Sequence, residues 1–162
     1  MRQQGATLIQ MMIALSVVGL LVRLGAPSYA SLSEDLHLAA AARDLAQTLR
    51  SARSHASLQH AAVRVQPLQE DWGVGWRVLL EHDGQVLREQ RLVRRVRIVA
   101  NLGEVRFSGL GVPQHRSGAF FGGTLAFCKG LSGLSSQHVV VAPSGRVSLR
   151  TGASDQPRCA SR

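Results

Sequence analysis

The sequence predicts an α+β chain: one long N-terminal helix, apolar in its first half and amphipathic in its second, packed on antiparallel β-sheet. Three observations carry that prediction. No Gly or Pro interrupts residues 28 to 66. Leu38, Ala42, Leu45, Leu49, Ala52 and Ala56 recur at alternating steps of four and three, which places them on one face of a helix. From Ala61 onward the pattern changes to short alternating runs separated by turn residues, so the strands follow the helix instead of alternating with helices.

The chain opens with a basic leader, Met1-Arg2-Gln3-Gln4-Gly5. An apolar run from Ala6 to Val22 follows, with Gln10 as a polar position near its start. As a helix this run is roughly 25 Å long, just short of the ~30 Å hydrocarbon core of a bilayer. Arg23 follows at once, and its long side chain suits the headgroup region. Two readings of the stretch are open. One is a secretory signal peptide, which has the basic start and apolar core but lacks a small-x-small site at the far end. The other is a short leader cut at Gly5, with the helix retained. The helix then runs to about Gln59, with a kink expected near Gly25-Ala26-Pro27. Arg43, Gln47, Arg50 and Ser54 fall on another face.

Strands are expected at 61–66, 72–81, 85–93, 96–100, 104–108, 124–128, 138–142 and 146–150. Pro67-Leu68-Gln69-Glu70-Asp71 reads as a turn, and His82-Asp83-Gly84 as a hairpin turn. Residues 109 to 123 read as a long Gly-rich loop. There is no internal repeat and no second domain.

The formal charge is +9, and of 19 cationic side chains only Lys129 is not arginine. Guanidinium groups pair bidentately with phosphate, so the balance favours nucleic acid or acidic lipid. A composition rich in Arg, Ala and Gly together accounts for part of that charge. Arg88, Arg91, Arg94, Arg95 and Arg97 form a basic run. Strict alternation without a bulge would place Arg91, Arg95 and Arg97 on one face, as a solvated edge or a surface toward anionic lipid. Cys128 and Cys159 have no metal-ligand spacing. In an exported domain they read as one disulfide, which in the chain-entropy model stabilises by roughly 3–4 kcal/mol.

No catalytic constellation is present. The six histidines form no paired-ligand spacing and read as surface side chains, and there is no CxxC, GxSxG or P-loop. The reading is therefore of a non-enzymatic chain without cofactor or metal.

Two stretches carry a resemblance. Gly5-Ala6-Thr7-Leu8-Ile9-Gln10 resembles the class III signal Gly-Phe-Thr-Leu-Ile-Glu of type IV pilins and type II secretion pseudopilins. The resemblance implies cleavage between Gly5 and Ala6 by a prepilin peptidase, with N-methylation of Ala6. Counting Ala6 as first, Pro27 is the twenty-second residue, where pilins commonly carry a helix-kinking Pro. Ala6 and Gln10 depart from the usual Phe and Glu, and that Glu is thought to pair with a neighbouring subunit's amine during assembly.

Further along come Leu49-Arg50-Ser51-Ala52-Arg53-Ser54-His55-Ala56, Trp72-Gly73-Val74-Gly75-Trp76 and Asp83-Gly84. Cys128, Val139-Val140-Val141, Pro143-Ser144-Gly145-Arg146 and Cys159 follow. In this order they resemble the minor pilins of the FimT/FimU/GspH family, closest to FimT. The organisation implied is a leader at 1–5, a transmembrane and assembly helix at 6–26, an amphipathic helix at 27–60 and a periplasmic β domain at 61–162. The implied partners are other minor and major pilins, the prepilin peptidase and the bacterial inner membrane.

In FimT proteins linked to DNA uptake the segment matching Gly145-Arg146-Val147-Ser148 reads Gly-Arg-x-Arg, and its arginines contact DNA. Here Ser148 takes the second place, but residues two apart on a strand share a face, so Arg146 and Arg150 point the same way. Lys129, Arg158 and Arg162 would add charge if the tail folds beside this strand. The expectation is weak, salt-sensitive, non-specific binding of double-stranded DNA. The alternatives are a type II secretion pseudopilin that binds other pseudopilins, and a monotopic DNA- or lipid-binding protein that never enters a filament.

Overall fold

The computed structural model describes residues 8–115, 117–119, 121–130, 135–152 and 159, apart from the side chains of 24–28, 30, 135 and 136. The chain forms two compact units, Met1–Leu36 and His37–Arg162. The helix α1, Leu8–Gln59, begins in the first and ends in the second. In the first unit the described side chains from Leu8 to Arg23 are all exposed. Among the described residues no helix is long and apolar enough to cross a membrane.

In the second unit the helical stripe is buried as its spacing predicts. Leu38, Ala42, Leu45, Leu49, Ala52 and Ala56 all belong to the main hydrophobic core. The helix stops without a glycine: His60 takes the left-handed conformation at φ 50°, and the Ala61 amide donates to the Ala56 carbonyl at 3.2 Å.

The strands are β1 (Val63–Leu68), β2 (Asp71–Leu80), β3 (Val86–Arg91), β4 (Arg97–Ala100), β5 (Val105–Phe107), β6 (Gly123–Cys128), β7 (Ser135–Val141) and β8 (Val147–Thr151). They form two four-stranded sheets, ordered β3-β2-β1-β5 and β4-β6-β7-β8, with every pair antiparallel. Both sheets contribute to one core with the helix. Trp76, Val65 and Val105 come from the first; Leu125, Phe127 and Val139 come from the second. Trp76 is 1% exposed, and its Nε1–H donates to Thr48 Oγ1 on α1 at 3.2 Å, which fixes how β2 lies along the helix.

Two expectations need correction. Pro67 is not in a turn: β1 continues through it, and the turn is Gln69-Glu70, at φ 52° and 61°. Pro67 fits because β5 pairs only with Val63–Val65, so no ladder bond is lost on that side. Nor do Arg91, Arg95 and Arg97 share a face. β3 ends at Arg91, residues 92–96 form a connection, and β4 belongs to the other sheet.

That connection crosses β2 at close range. Leu92 N donates to Val74 O at 3.0 Å and Val96 N to Gly73 O at 3.1 Å. Gly75 sits at φ 147°, and a Cβ there would collide with the Gln90 carbonyl oxygen. The crossing itself requires Gly73, where a Cβ would collide with the Val96 carbonyl oxygen, while Gly75 answers to β3.

Asp71 ties the start of β2 to the same connection. Its Oδ1 accepts from the Gly73 amide at 2.7 Å and its Oδ2 from Arg95 Nε at 3.1 Å. Burial alone would raise the Asp71 pKa, but the bonds from Arg95 and Gly73 and the Arg95 charge outweigh it, so the carboxyl titrates below its ordinary value. A depressed folded-state pKa contributes stability above the unfolded-state pKa and loses it as pH falls through the folded-state value. Asp71→Asn should therefore lower the urea midpoint at neutral pH. The difference from wild type should disappear as pH falls below the ordinary value of 3.8, as titrated urea denaturation would show.

Candidate functional site

The hairpin of β7 and β8 carries the arginines singled out in the sequence. Val141 pairs with Val147, Val140 with Ser148, Val139 with Leu149 and His138 with Arg150. Val147 is buried and Leu149 half-buried, so that set faces the core. Arg146 and Arg150 are exposed and Ser148 half-buried on the other face. Arg146 immediately precedes the strand, so the two guanidinium groups leave the backbone about 13 Å apart along one face. β8 is the last strand of its sheet.

The turn that launches β8 is held from the helix. Ala142 N donates to Arg146 O at 2.9 Å, and Gly145 N to Ala142 O at 2.8 Å. Gly145 is at φ 81°, and a Cβ there would lie 2.6 Å from the Gly111 carbonyl oxygen. Arg53 on α1 donates through Nε to Gly111 O at 3.0 Å and through Nη2 to Ser144 O at 3.3 Å. Arg50 donates through Nε to Val147 O at 3.2 Å. Arg50, which the sequence places off the buried stripe, thus anchors the first residue of β8. The long loop also joins here: Phe107 bridges Pro113, and Gly111 N donates to Ser108 O at 2.8 Å. These two arginines are the residues that sequence reasoning missed. Their signal was the Ala-Arg-x-x-Ala pattern at the helix end, together with the glycine before Arg146.

The other predicted residues are placed differently. Cys128 and Cys159 form a disulfide with Cα atoms 5.8 Å apart. With Ala126 they make a small buried cluster, packed by Val99 on the sheet face opposite the main core. Lys129 follows Cys128 at the end of β6, two strands from β8, and is half-buried. Arg158 and Arg162 lie outside the described residues, as do Gly5 and Ala6. Gln10 is exposed on α1, and 24–28 are helical. His138, expected on the surface, is 5% exposed, in register between Ala126 and Arg150.

Much of the positive charge is used internally. Arg64 pairs with Glu104 at 3.7 Å, Arg91 with Glu89 at 2.9 Å, Arg95 with Asp71, and Arg106 with Glu81. Arg146 and Arg150 make no such pair among the described residues. The described site offers two aligned cations on an edge strand, which suits phosphate contact. Among the described residues no group of His, Cys, Asp or Glu could hold a metal ion.

The family profile described as type II transport protein GspH matches residues 41–145, from the helix to the turn before Arg146. Two crystal structures of the type IV minor pilin FimU from Pseudomonas aeruginosa strain PAO1 share the fold. The first, in space group P21, has a TM-score of 0.62 at 23% identity and covers 78% of this chain and 98% of that chain. The second, in space group P65, has a TM-score of 0.54 at 22% identity and covers 73% of this chain and 98% of that chain. No curated protein sequence matches the chain.

Proposed function

The chain belongs to the GspH family, and from that membership we propose that it is a minor type IV pilin. The observation that carries this reading is one chain with both a class III-like signal, Gly5-Ala6-Thr7-Leu8-Ile9-Gln10, and the pilin fold. In this reading a prepilin peptidase cuts between Gly5 and Ala6 and methylates Ala6. The apolar run then holds the chain in the inner membrane, with the β domain in the periplasm. Ala6–Val22 spans only roughly 25 Å, so Arg23 must reach the headgroups for the run to cross. On assembly the same helix packs among other pilins, with a bend at Pro27. Gln10 has no charge to offer a neighbour's amine, which suits a rare position at or near the filament tip.

The mechanism is structural, with no turnover: helix packing inserts the subunit, and the domain primes or caps the pilus. Arg146 and Arg150 capture duplex DNA through phosphates, without reading bases, which suits a role in natural transformation. The description of the matching family supports a second reading, a type II secretion pseudopilin whose ligands are other pseudopilins. The exposed arginine pair on β8 favours the pilus.

Mass spectrometry of the mature chain isolated from membranes should find N-methylated Ala6 as its first residue. An intact Met1, or cleavage beyond Val22, would contradict the assembly reading. The full chain in a neutral detergent should shift duplex DNA at low salt. Arg146→Ala with Arg150→Ala should abolish most of the shift and reduce the slope of log affinity against log salt by about two. Unchanged affinity in the double variant would remove DNA capture from β8.

A further inference from the structure

The second basic run lies apart from β8 and has an unusual tip. The connection from β3 to β4 reads Arg91-Leu92-Val93-Arg94-Arg95-Val96. Val93 is 95% exposed, above any other large apolar side chain among the described residues. Arg91, Arg94 and Arg95 are exposed on either side of it, whereas Leu92 packs against the core. Arg94 has no hydrogen-bond or ion-pair partner among the described residues. The tip is held, not loose, because Asp71 grips Arg95 and the Leu92 and Val96 amides are bonded to β2.

The position of this tip within the domain follows from register. β1 starts just after the helix end, and Val63 pairs with Leu80, so Leu80 lies near Gln59. Four residues further down β2, Trp76 bonds Thr48. Continuing from Trp76 to Asp71 covers about 17 Å. Going back along the helix from Thr48 to His37 covers about 16 Å. Asp71, and with it the Arg95 connection, therefore sits toward the end of the domain at which its helix begins. Before His37 the chain leads back to the apolar run.

We infer that the Arg91–Arg95 connection docks on the surface of an anionic phospholipid bilayer, with Arg91 and Arg94 on lipid phosphates and Val93 in the interface. Arg94, and Arg91 once it exchanges its exposed 2.9 Å pairing with Glu89 for a phosphate, complement anionic headgroups, and the apolar side chain between them gains from the acyl boundary. A nucleic-acid backbone offers Val93 nothing comparable. The inference rests on the reading that the apolar run is embedded in the same bilayer. It adds a second contact that would fix the domain's orientation before assembly.

The test uses the full chain with Val93→Cys carrying an environment-sensitive dye. The described cysteines are both in the disulfide, so position 93 offers the one added thiol. The chain is reconstituted with vesicles of phosphatidylcholine alone, or of phosphatidylcholine with phosphatidylglycerol, and flotation is scored alongside dye emission. The expected result is flotation on both and a blue shift only on the anionic vesicles, weakened by salt. Arg91→Ala with Arg94→Ala should keep flotation while the loop's partitioning falls about fivefold per arginine removed. Flotation on both vesicles with a water-like dye would overturn this inference and leave the anchor standing. A blue shift on anionic vesicles without flotation on neutral ones would overturn the anchor and the shared-bilayer orientation that rests on it, while the lipid contact of the connection itself would stand. No flotation on either would overturn both. A dye response to duplex DNA in neutral detergent, with none to anionic vesicles, would reassign the connection to nucleic acid and overturn it.

Discussion

The Arg53 guanidinium joins three parts of the chain that are far apart in sequence. From the last turns of α1 it reaches the carbonyl of Gly111 in the long loop and that of Ser144 in the β7–β8 turn. Arg50, one turn earlier, holds Val147. Charged donors to backbone carbonyls contribute about 1.5–3 kcal/mol each, more than an ordinary hydrogen bond. The contact also constrains its surroundings. Gly145 sits against the Gly111 carbonyl with Arg53 beside it, at a φ that favours glycine, so the turn before Arg146 has room for one residue type. The helix therefore does more than bury its apolar stripe: it sets where β8 begins.

A second constraint acts at the other side of the core. Trp72 and Trp76 are both buried, and each spends its indole N–H on a specific acceptor, the Leu102 carbonyl at 3.2 Å and Thr48 Oγ1 at 3.2 Å. Leaving such a buried donor unpaired costs about 1–3 kcal/mol. Between the two tryptophans the backbone must let the β3–β4 connection pass from one sheet to the other. Gly73 permits the approach, because a Cβ there would collide with the Val96 carbonyl oxygen, and Asp71 with Arg95 fixes the connection's position. The Trp-Gly-Val-Gly-Trp pattern is thus a crossing point between two sheets and not merely an alternating strand.

Periodicity made the helix and its buried face legible, because Leu38, Ala42, Leu45, Leu49, Ala52 and Ala56 form an unbroken stripe. The strand count was legible because turns separate the runs. Three things were not. The Gln69-Glu70 turn places two long side chains at positive φ, and only tertiary packing selects that over the nearby Pro67. The division into two sheets depends on a crossing that local pattern does not encode. Arg50 and Arg53 carry charge, and charge in a helix reads as solvated until the loops that supply carbonyls are in place. At the candidate site the alternation of Arg146, Ser148 and Arg150 was readable from strand period alone. That the strand leading to Lys129 lies two places from β8 was not, because it depends on strand order.

Through Arg53, α1 positions the β8 hairpin, so that the arginine pair is presented from a fixed turn. Amide hydrogen exchange on the full chain carrying Arg53→Met tests this most directly. The Ala142 and Gly145 amides should exchange faster by about one to two orders of magnitude, matching the loss of the one bond that Arg53 makes to the turn itself, at the Ser144 carbonyl. The Val65 and Val78 amides, inside the first sheet, should keep their protection. Unchanged exchange at Ala142 and Gly145, or an equal loss throughout the domain, would contradict it.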